Sequence, residues 1–267
     1  TNNVVFFYNR VNGQAAAARL SPDGSLSVLQ KFPDQATGNG AFDPGWDLIT
    51  PGPYNYLFFY RRDSGAATAC LMGDNGIIVQ CGNFGFEKYW TDIGIDRQTG
   101  VMRIYSSTDG VLNTAKLNPD GSITNLSSGT NYIKASRLVV PIGNRMWISY
   151  DSKTKEGATF TIDESTGATT RLQGVADMGL TWSIIVSNQS SIGFYSAASQ
   201  TSLIASTALD GSIIKLRTYA APPTLTSIAS ALNGPYLNYS SSTGELSVTQ
   251  IAQDGTATNL QEYAPTK

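Results

Sequence analysis

Histidine is absent from all 267 residues of the chain. That absence removes the Ser-His-Asp triad, histidine-ligated zinc sites and any imidazole general base. Charge is scarce too: Asp, Glu, Lys and Arg together make up 14% of the residues, for a formal net charge of −2. No basic cluster stands out, so the electrostatic footprint of a nucleic-acid partner is missing. No apolar run approaches the roughly 20 residues that a membrane-spanning helix needs. The opening TNNVVFFY lacks the charged-then-apolar layout of a secretory leader, and the chain reads as a soluble, already processed mature form. Walker-type and dinucleotide phosphate loops are lacking, because the glycines fall in short turns.

What is present points to strands and turns. The chain holds 26 glycines and 13 tyrosines with 41% hydrophobic residues, enough for a substantial core built from many short strands. These strands recur at a fixed period. An aromatic-ended segment closes at Tyr8, Tyr60, Tyr105, Tyr150, Tyr195 and Tyr239, at intervals of 52, 45, 45, 45 and 44 residues. Fifteen residues after most of these tyrosines stands Asp-Gly, at Asp23-Gly24, Asp120-Gly121, Asp210-Gly211 and Asp254-Gly255. Asn75-Gly76 and Thr166-Gly167 fill the same place in the other two copies.

Each unit reads as the Tyr strand, a polar turn, a second strand, the Asp-Gly hairpin, a third strand and a fourth segment such as WDLITPG. Four short strands in about 45 residues, six times over, predict an all-β fold: a six-bladed β-propeller of four-stranded antiparallel blades. The expected arrangement is a single domain over residues 1–267, with units at about 4–53, 54–100, 101–144, 145–191, 192–235 and 236–267. Strands such as LFFY are apolar on both faces, as sheets packed face to face require, so the six tyrosines are expected in the core between blades. The last unit ends without a clear fourth strand. Either the terminal strands pair to close the fold or one blade has three strands.

Cys70 and Cys81 are the only cysteines and flank the Asn75-Gly76 hairpin. A two-residue turn there sets them opposite each other at a wide, hydrogen-bonded ladder position, where a disulfide is feasible but harder to bridge; the alternative is two buried thiols. Asn125, Asn188 and Asn238 open Asn-x-Ser/Thr sequons. Together with the cysteine pair and the low lysine content, they favour a secreted protein carrying N-linked glycan.

The repeated Asp-Gly turns offer one carboxylate each, too few oxygens for calcium, so no metal site is expected. The sialidase Asp-box is not matched either, since SPDGS and NPDGS place nothing between Asp and Gly. A glycosidase would need two carboxylates facing each other across a pocket, to be drawn from Asp43, Asp47, Asp92, Asp96, Asp163, Glu164 and Asp177.

The WDLITPG segment is the candidate inner strand. Trp46, Trp90 and Trp182 lie 14, 15 and 13 residues before their tyrosines and so occupy nearly one place in three blades. At a wet tunnel mouth they would stack on a ligand; otherwise each plugs the space between blades. Asp47, Asp92, Arg137, Ser183 and Ser227 accompany them at corresponding or adjacent positions. Trp147, inside a Tyr strand, is expected in the core.

The six-fold unit with its LFFY-type strand resembles the fungal fucose-specific lectin superfamily of secreted six-bladed propellers. In that family each cleft between blades binds sugar through Arg, Glu and an aromatic residue. Here only the second unit follows its Tyr strand with arginines, Arg61 and Arg62, and no Glu recurs in register. The chain is also similar to the fungal hetero-Diels–Alderases related to this superfamily. That resemblance implies a cofactor-free enzyme with one central or rim pocket that cyclises a small hydrophobic natural product. Arg137, Asp47 and Ser183 would orient the substrate, and Trp46, Trp90, Asp92, Trp182 and Ser227 would bind it. The alternative is a lectin that stacks glycans on tryptophan; a third reading is a propeller that binds protein. A monomer is expected, with a hydrophobic small molecule or a glycan as partner and neither nucleic acid nor membrane.

Overall fold

A computed structural model of the chain describes residues 3–33, 42–131, 138–175, 180–188, 190–222, 224–230 and 234–264. The fold is a six-bladed β-propeller in which every paired strand runs antiparallel. The first sheet holds β1 (Val4–Tyr8), β2 (Ala15–Leu20) and β3 (Leu26–Phe32). The second runs from β4 (Leu48–Pro51) through β5 (Tyr56–Tyr60) and β6 (Ala66–Met72) to β7 (Ile78–Gly85). The third comprises β8 (Asp92–Ile95), β9 (Val101–Tyr105), β10 (Val111–Leu117) and β11 (Ile123–Asn131). The fourth comprises β12 (Leu138–Gly143), β13 (Met146–Asp151), β14 (Glu156–Ile162) and β15 (Thr169–Val175). The fifth holds β16 (Ile184–Ser187), β17 (Ile192–Ser196), β18 (Thr201–Thr207) and β19 (Ile213–Ala220). The sixth holds β20 (Ser227–Ser230), β21 (Tyr236–Tyr239), β22 (Leu246–Ile251) and β23 (Ala257–Tyr263). Among the described residues no helix is long and apolar enough to cross a membrane.

The fourth segment of each sequence unit pairs with the Tyr strand that follows it, so the sheets run one strand out of phase with the sequence units. This phase moves the missing strand. The sixth sheet is complete, and the first has three strands among the described residues. Segments such as LITP are inner strands: β4 lies against β8, and β12 and β20 lie against β16. The Thr50 hydroxyl donates to the Ile93 carbonyl at 2.9 Å, joining two of them directly.

Contacts group the chain into two compact units, residues 1–21, 26–134 and 164–167 in one and 22–25, 135–163 and 168–267 in the other. Within the first unit, Phe58 and Tyr60 of the second sheet pack against Ile93, Met102 and Ile104 of the third. Within the second, Ile148 and Tyr150 of the fourth sheet meet Ile185 and Phe194 of the fifth. Burying one such side chain contributes about 1.5–3 kcal/mol, which makes these two-faced apolar strands the main source of cohesion.

The Asp-Gly turns are not two-residue hairpins. In the 118–122 turn the Gly121 N–H donates to the Asn118 carbonyl and the Asn118 N–H to the Ser122 carbonyl, enclosing a three-residue loop. The glycine sits left-handed at φ +82°, and Gly24, Gly76, Gly211 and Gly255 adopt the same conformation. The aspartate before it accepts from the backbone N–H two residues on, as from Ser25, Ser122, Ser212 and Thr256. The hydroxyl of that same residue also donates to the carboxylate; hydroxyl and N–H together lower the pKa of Asp23 and Asp120 from the ordinary value of 3.8, and N–H and hydroxyl lower those of Asp210 and Asp254.

A bulge follows every one of these turns. In each sheet the last strand carries one extra residue: Leu29, Val79, Leu126, Leu172, Leu216 or Leu260. The next turn glycine packs onto that residue. A Cβ on Gly211 would lie 2.7 Å from Leu172 Cβ and 2.6 Å from Thr159 Oγ1. Gly76 meets Leu29, Gly167 meets Leu126, Gly255 meets Leu216 and Gly24 meets Leu260 in the same way. Val79 breaks the pattern: it is exposed, and Gly121 packs on Tyr56 instead.

Cys70 and Cys81 are disulfide-bonded. The sequence reading had the right pairing for the wrong reason. The three-residue loop shifts the register by one, and the bulge at Val79 shifts it back, restoring Cys70 opposite Cys81. Their Cα atoms are 4.1 Å apart, the narrow spacing of a non-hydrogen-bonded pair rather than the wide one expected.

Two outcomes follow for stability. Gly211→Ala combines a left-handed backbone with a blocked Cβ and is expected to cost about 1–3 kcal/mol in urea unfolding. Gly85→Ala, with nothing within 4 Å of the new Cβ, should stay within about 0.5 kcal/mol. The turn aspartates have depressed pKa values, so their contribution is complete above pH 3.8 and is lost as the pH falls through the lower folded value. A Tm-against-pH series below pH 5 should therefore fall less steeply for Asp210→Ala than for the wild type.

Candidate functional site

The tyrosines that end the second strand of a sheet do more than fill the core. Tyr60 Oη donates to the Glu87 carbonyl at 2.7 Å and accepts the Trp90 N–H at 3.2 Å. Tyr150 does the same with Leu180 and Trp182, and Tyr8 with Asp43 and Trp46. Each hydroxyl thus clasps the loop that leads into the next sheet. Burial pushes the Tyr60 phenol above its ordinary value of 10.0, which keeps it a donor at neutral pH. Tyr60, Tyr105, Tyr150 and Tyr195 are fully buried, Tyr8 is half-buried, and Tyr239, contrary to the core expectation, is 40% exposed.

This clasp explains where the tryptophans go. Trp90 and Trp182 are 2% exposed, each packed inside a core between two sheets and not at a wet rim. The expected ligand platform is, at these two positions, an interior plug. Trp147 is buried and stacks on Phe160, as core.

The polar candidates also have structural duties. The residue after each clasped position returns its N–H to the carbonyl of the next tyrosine: Asp47 to Tyr60, Thr91 to Tyr105, Ser183 to Tyr195 and Thr226 to Tyr239. Its side chain then accepts the N–H two residues beyond that tyrosine, from Arg62, Ser107, Ala197 and Ser241. Asp47 and Ser183, expected to orient a substrate, therefore close turns. Asp92 and Ser227 stand one position past the true equivalents, Thr91 and Thr226; Asp92 is half-buried and Ser227 exposed. Arg137 and Asp177 lie outside the described residues.

The other acids are dispersed. Asp96 accepts from Gln98 and Thr99 in its own turn, and Glu164 pairs with Lys116 at 3.6 Å. Among the described residues no three His, Cys, Asp or Glu side chains gather as metal ligands. Of the sequons, Asn125 is exposed on β11 and Asn238 is half-buried, donating to Thr249 at 3.1 Å. Asn188 is buried and donates its amide to the Gly234 carbonyl at 2.7 Å while accepting from Ser190 and Ser191, which leaves no room for a glycan in the folded chain.

One place departs from the repeat: the 61–65 turn of the second sheet. Asp47 joins Arg10 at 2.6 Å and accepts the Arg62 N–H at 2.7 Å. Arg61 lies over the indole of Trp46, 4.8 Å from the ring centroid, and donates to the Pro44 carbonyl at 2.8 Å. A Cβ on Gly45, which sits at φ +90°, would lie 3.8 Å from Arg61 Nε. On the other flank, Arg62 donates to the Thr91 carbonyl at 2.9 Å, and the Tyr89 N–H donates to the Arg62 carbonyl at 2.9 Å. Trp46 remains half-buried, unlike Trp90 and Trp182. The doubled arginine was visible in sequence. Arg10 and Tyr89 were not, because an ion-pair partner in the turn of another sheet and a left-handed backbone leave no local pattern.

No family model and no curated protein matches the chain. Solved structures do. A 6-phosphogluconolactonase-like protein from Bacteroides uniformis aligns at 10% identity and a TM-score of 0.65, covering 98% of this chain and 82% of that one. The periplasmic gluconolactonase of Pseudomonas aeruginosa aligns at 12% identity and 0.62, covering 98% and 83%. A streptogramin B lyase aligns at 13% identity and 0.56, covering 99% and 80%. At such identities the likeness shows the propeller fold alone. Neither the lectin nor the Diels–Alderase resemblance is shown by these comparisons.

The tyrosine clasp is directly testable. Tyr150→Phe strands the Trp182 N–H and the Leu180 carbonyl in the interior and is expected to cost about 1–3 kcal/mol. Tyr239→Phe should be neutral within about 0.5 kcal/mol; both are read from urea midpoints at unchanged m.

Proposed function

We propose that the chain is a secreted carbohydrate-binding propeller with one site, centred on Trp46, Arg61 and Arg62. One observation carries the reading. Of the four described residues that precede Asp47, Thr91, Ser183 and Thr226, namely Trp46, Trp90, Trp182 and Leu225, only Trp46 is not buried, and it alone lies under an arginine. Indole and guanidinium together offer what a sugar ring needs, an apolar face beside a planar set of N–H donors. The disulfide and the exposed Asn125 sequon support a secreted setting.

The competing reading, cofactor-free cyclisation of a hydrophobic natural product, asks for an apolar pocket with a few orienting groups. Its expected residues are spent elsewhere: Trp90 and Trp182 inside cores, Asp47 and Ser183 in turns. Names borne by the solved neighbours, lactonase and lyase, leave room for an enzyme on this fold but select no residue here.

On an immobilised glycan panel the protein should bind a subset of sugars, competed by free sugar, and Trp46→Ala should weaken binding about tenfold or more. Unchanged glycan binding in Trp46→Ala, or turnover of polyene or quinone-methide substrates without glycan binding, would overturn the reading.

A further inference from the structure

Resting on the carbohydrate reading, we infer that the site takes an acidic glycan, one whose uronate carboxylate is held by Arg61 and Arg62 while its ring lies against Tyr89. The two loops beside the 61–65 turn are tied to the same arginines: Pro44 accepts from Arg61, and the Tyr89–Thr91 segment exchanges bonds with Arg62 in both directions. Trp46 on one loop and Tyr89 on the other therefore flank one pair of guanidinium groups.

The charge of that pair is unmatched by side chains. Arg10 is the partner of Asp47, whereas the Arg61 and Arg62 side chains donate to carbonyl oxygens. The Nε atoms of both are buried and lack a hydrogen-bond partner among the described residues. Asp63 and Glu87, on the same loops, are exposed and bonded to neither guanidinium. A half-buried guanidinium anchored through one terminal nitrogen to a neutral carbonyl keeps terminal N–H groups for a planar oxyanion, and a carboxylate accepts two parallel bonds from such a fork.

Tyr89 supplies the second sign of a built site. Its backbone is left-handed at φ +70°, a conformation that disfavours a bulky residue, and its ring is 66% exposed. The bonds at Tyr89, Trp90 and Thr91 to residues 60–62 hold it there. Glycine would fit this backbone without strain, so what the tyrosine adds is an exposed aromatic side chain on the residue whose N–H meets the Arg62 carbonyl. The carbohydrate reading needs only Trp46 and a donor; the acidic ligand is what the second arginine and the strained tyrosine add.

The experiment measures binding of galacturonate and glucuronate oligomers against their methyl esters, which keep the shape and remove the charge. The acids are expected to bind about tenfold tighter than the esters, with a gap that narrows between roughly 0.05 and 0.5 M salt. Arg62→Gln should bring acid and ester together, and Tyr89→Gly, which relieves the backbone and so should fold at least as well, should weaken both forms several-fold. Equal, Trp46-dependent binding of acid and ester overturns the acidic ligand and leaves the carbohydrate reading in place. Binding of no glycan, charged or neutral, overturns the carbohydrate reading itself. An acid preference that survives in Arg61→Gln and Arg62→Gln overturns the assignment of the carboxylate to these two residues.

Discussion

The sheets are held in register by a contact a few atoms wide: a left-handed glycine in a hairpin turn, set on the β-carbon of a leucine that bulges from the last strand of the neighbouring sheet. The approach is so close that any side chain on the glycine would overlap the leucine, as the 2.6 Å between the absent Cβ of Gly255 and Leu216 Cβ makes plain. Each half of the contact makes the other possible. The three-residue loop brings glycine into the left-handed region, and the bulge turns one extra aliphatic residue toward it. The bulge also twists the outermost strand of every sheet, which discourages edge-to-edge pairing with another chain. Because the same residues set spacing and protect the edge, the Asp-Gly mark recurs with little variation.

A second constraint acts at the other end of the Tyr strand. Its hydroxyl receives a backbone N–H and gives its proton to a carbonyl of the same loop, so the chain enters the following sheet at a fixed place. The next residue then closes the succeeding turn with its own side chain, through Asp47, Thr91, Ser183 or Thr226. Three chemically different side chains perform one task there, since each offers a single acceptor oxygen at the right distance. Variation among those copies reflects tolerance, not a shared pocket.

The period of the tyrosines, the Asp-Gly turns and the inner-strand segments could all be read from sequence, because each is a local pattern that recurs from unit to unit. What sequence could not give was set by contacts between distant residues. The wide-ladder expectation for Cys70 and Cys81 failed because loop length and bulge each shift the register by one, and neither shows in a pattern of apolar residues. Three tryptophans in one register suggested a common surface; at Trp90 and Trp182 the position is an interior plug, because the adjoining sheets close over it, and Trp46 alone keeps exposed surface. Arg61 and Arg62 were legible as a departure from the repeat, but their place between Trp46 and Tyr89 required the two flanking loops.

A repeated scaffold leaves few free polar side chains, because turns, clasps and edges consume them. A ligand site must then appear where one copy has surplus groups. The second sheet is that copy: it alone carries the disulfide, exposes Val79 at its bulge, receives the next turn on Tyr56 and adds two arginines after its tyrosine. Departure from the latch at its outer strand accompanies departure in the loop beyond Tyr60, at opposite ends of the same strands. The cross-strand disulfide fits this arrangement, since a hairpin whose bulge receives no turn glycine gains from a covalent tie between β6 and β7. Stability in this sheet thus comes from a bond that makes no demand on the loops, and those loops are left to carry Trp46, Arg61, Arg62 and Tyr89.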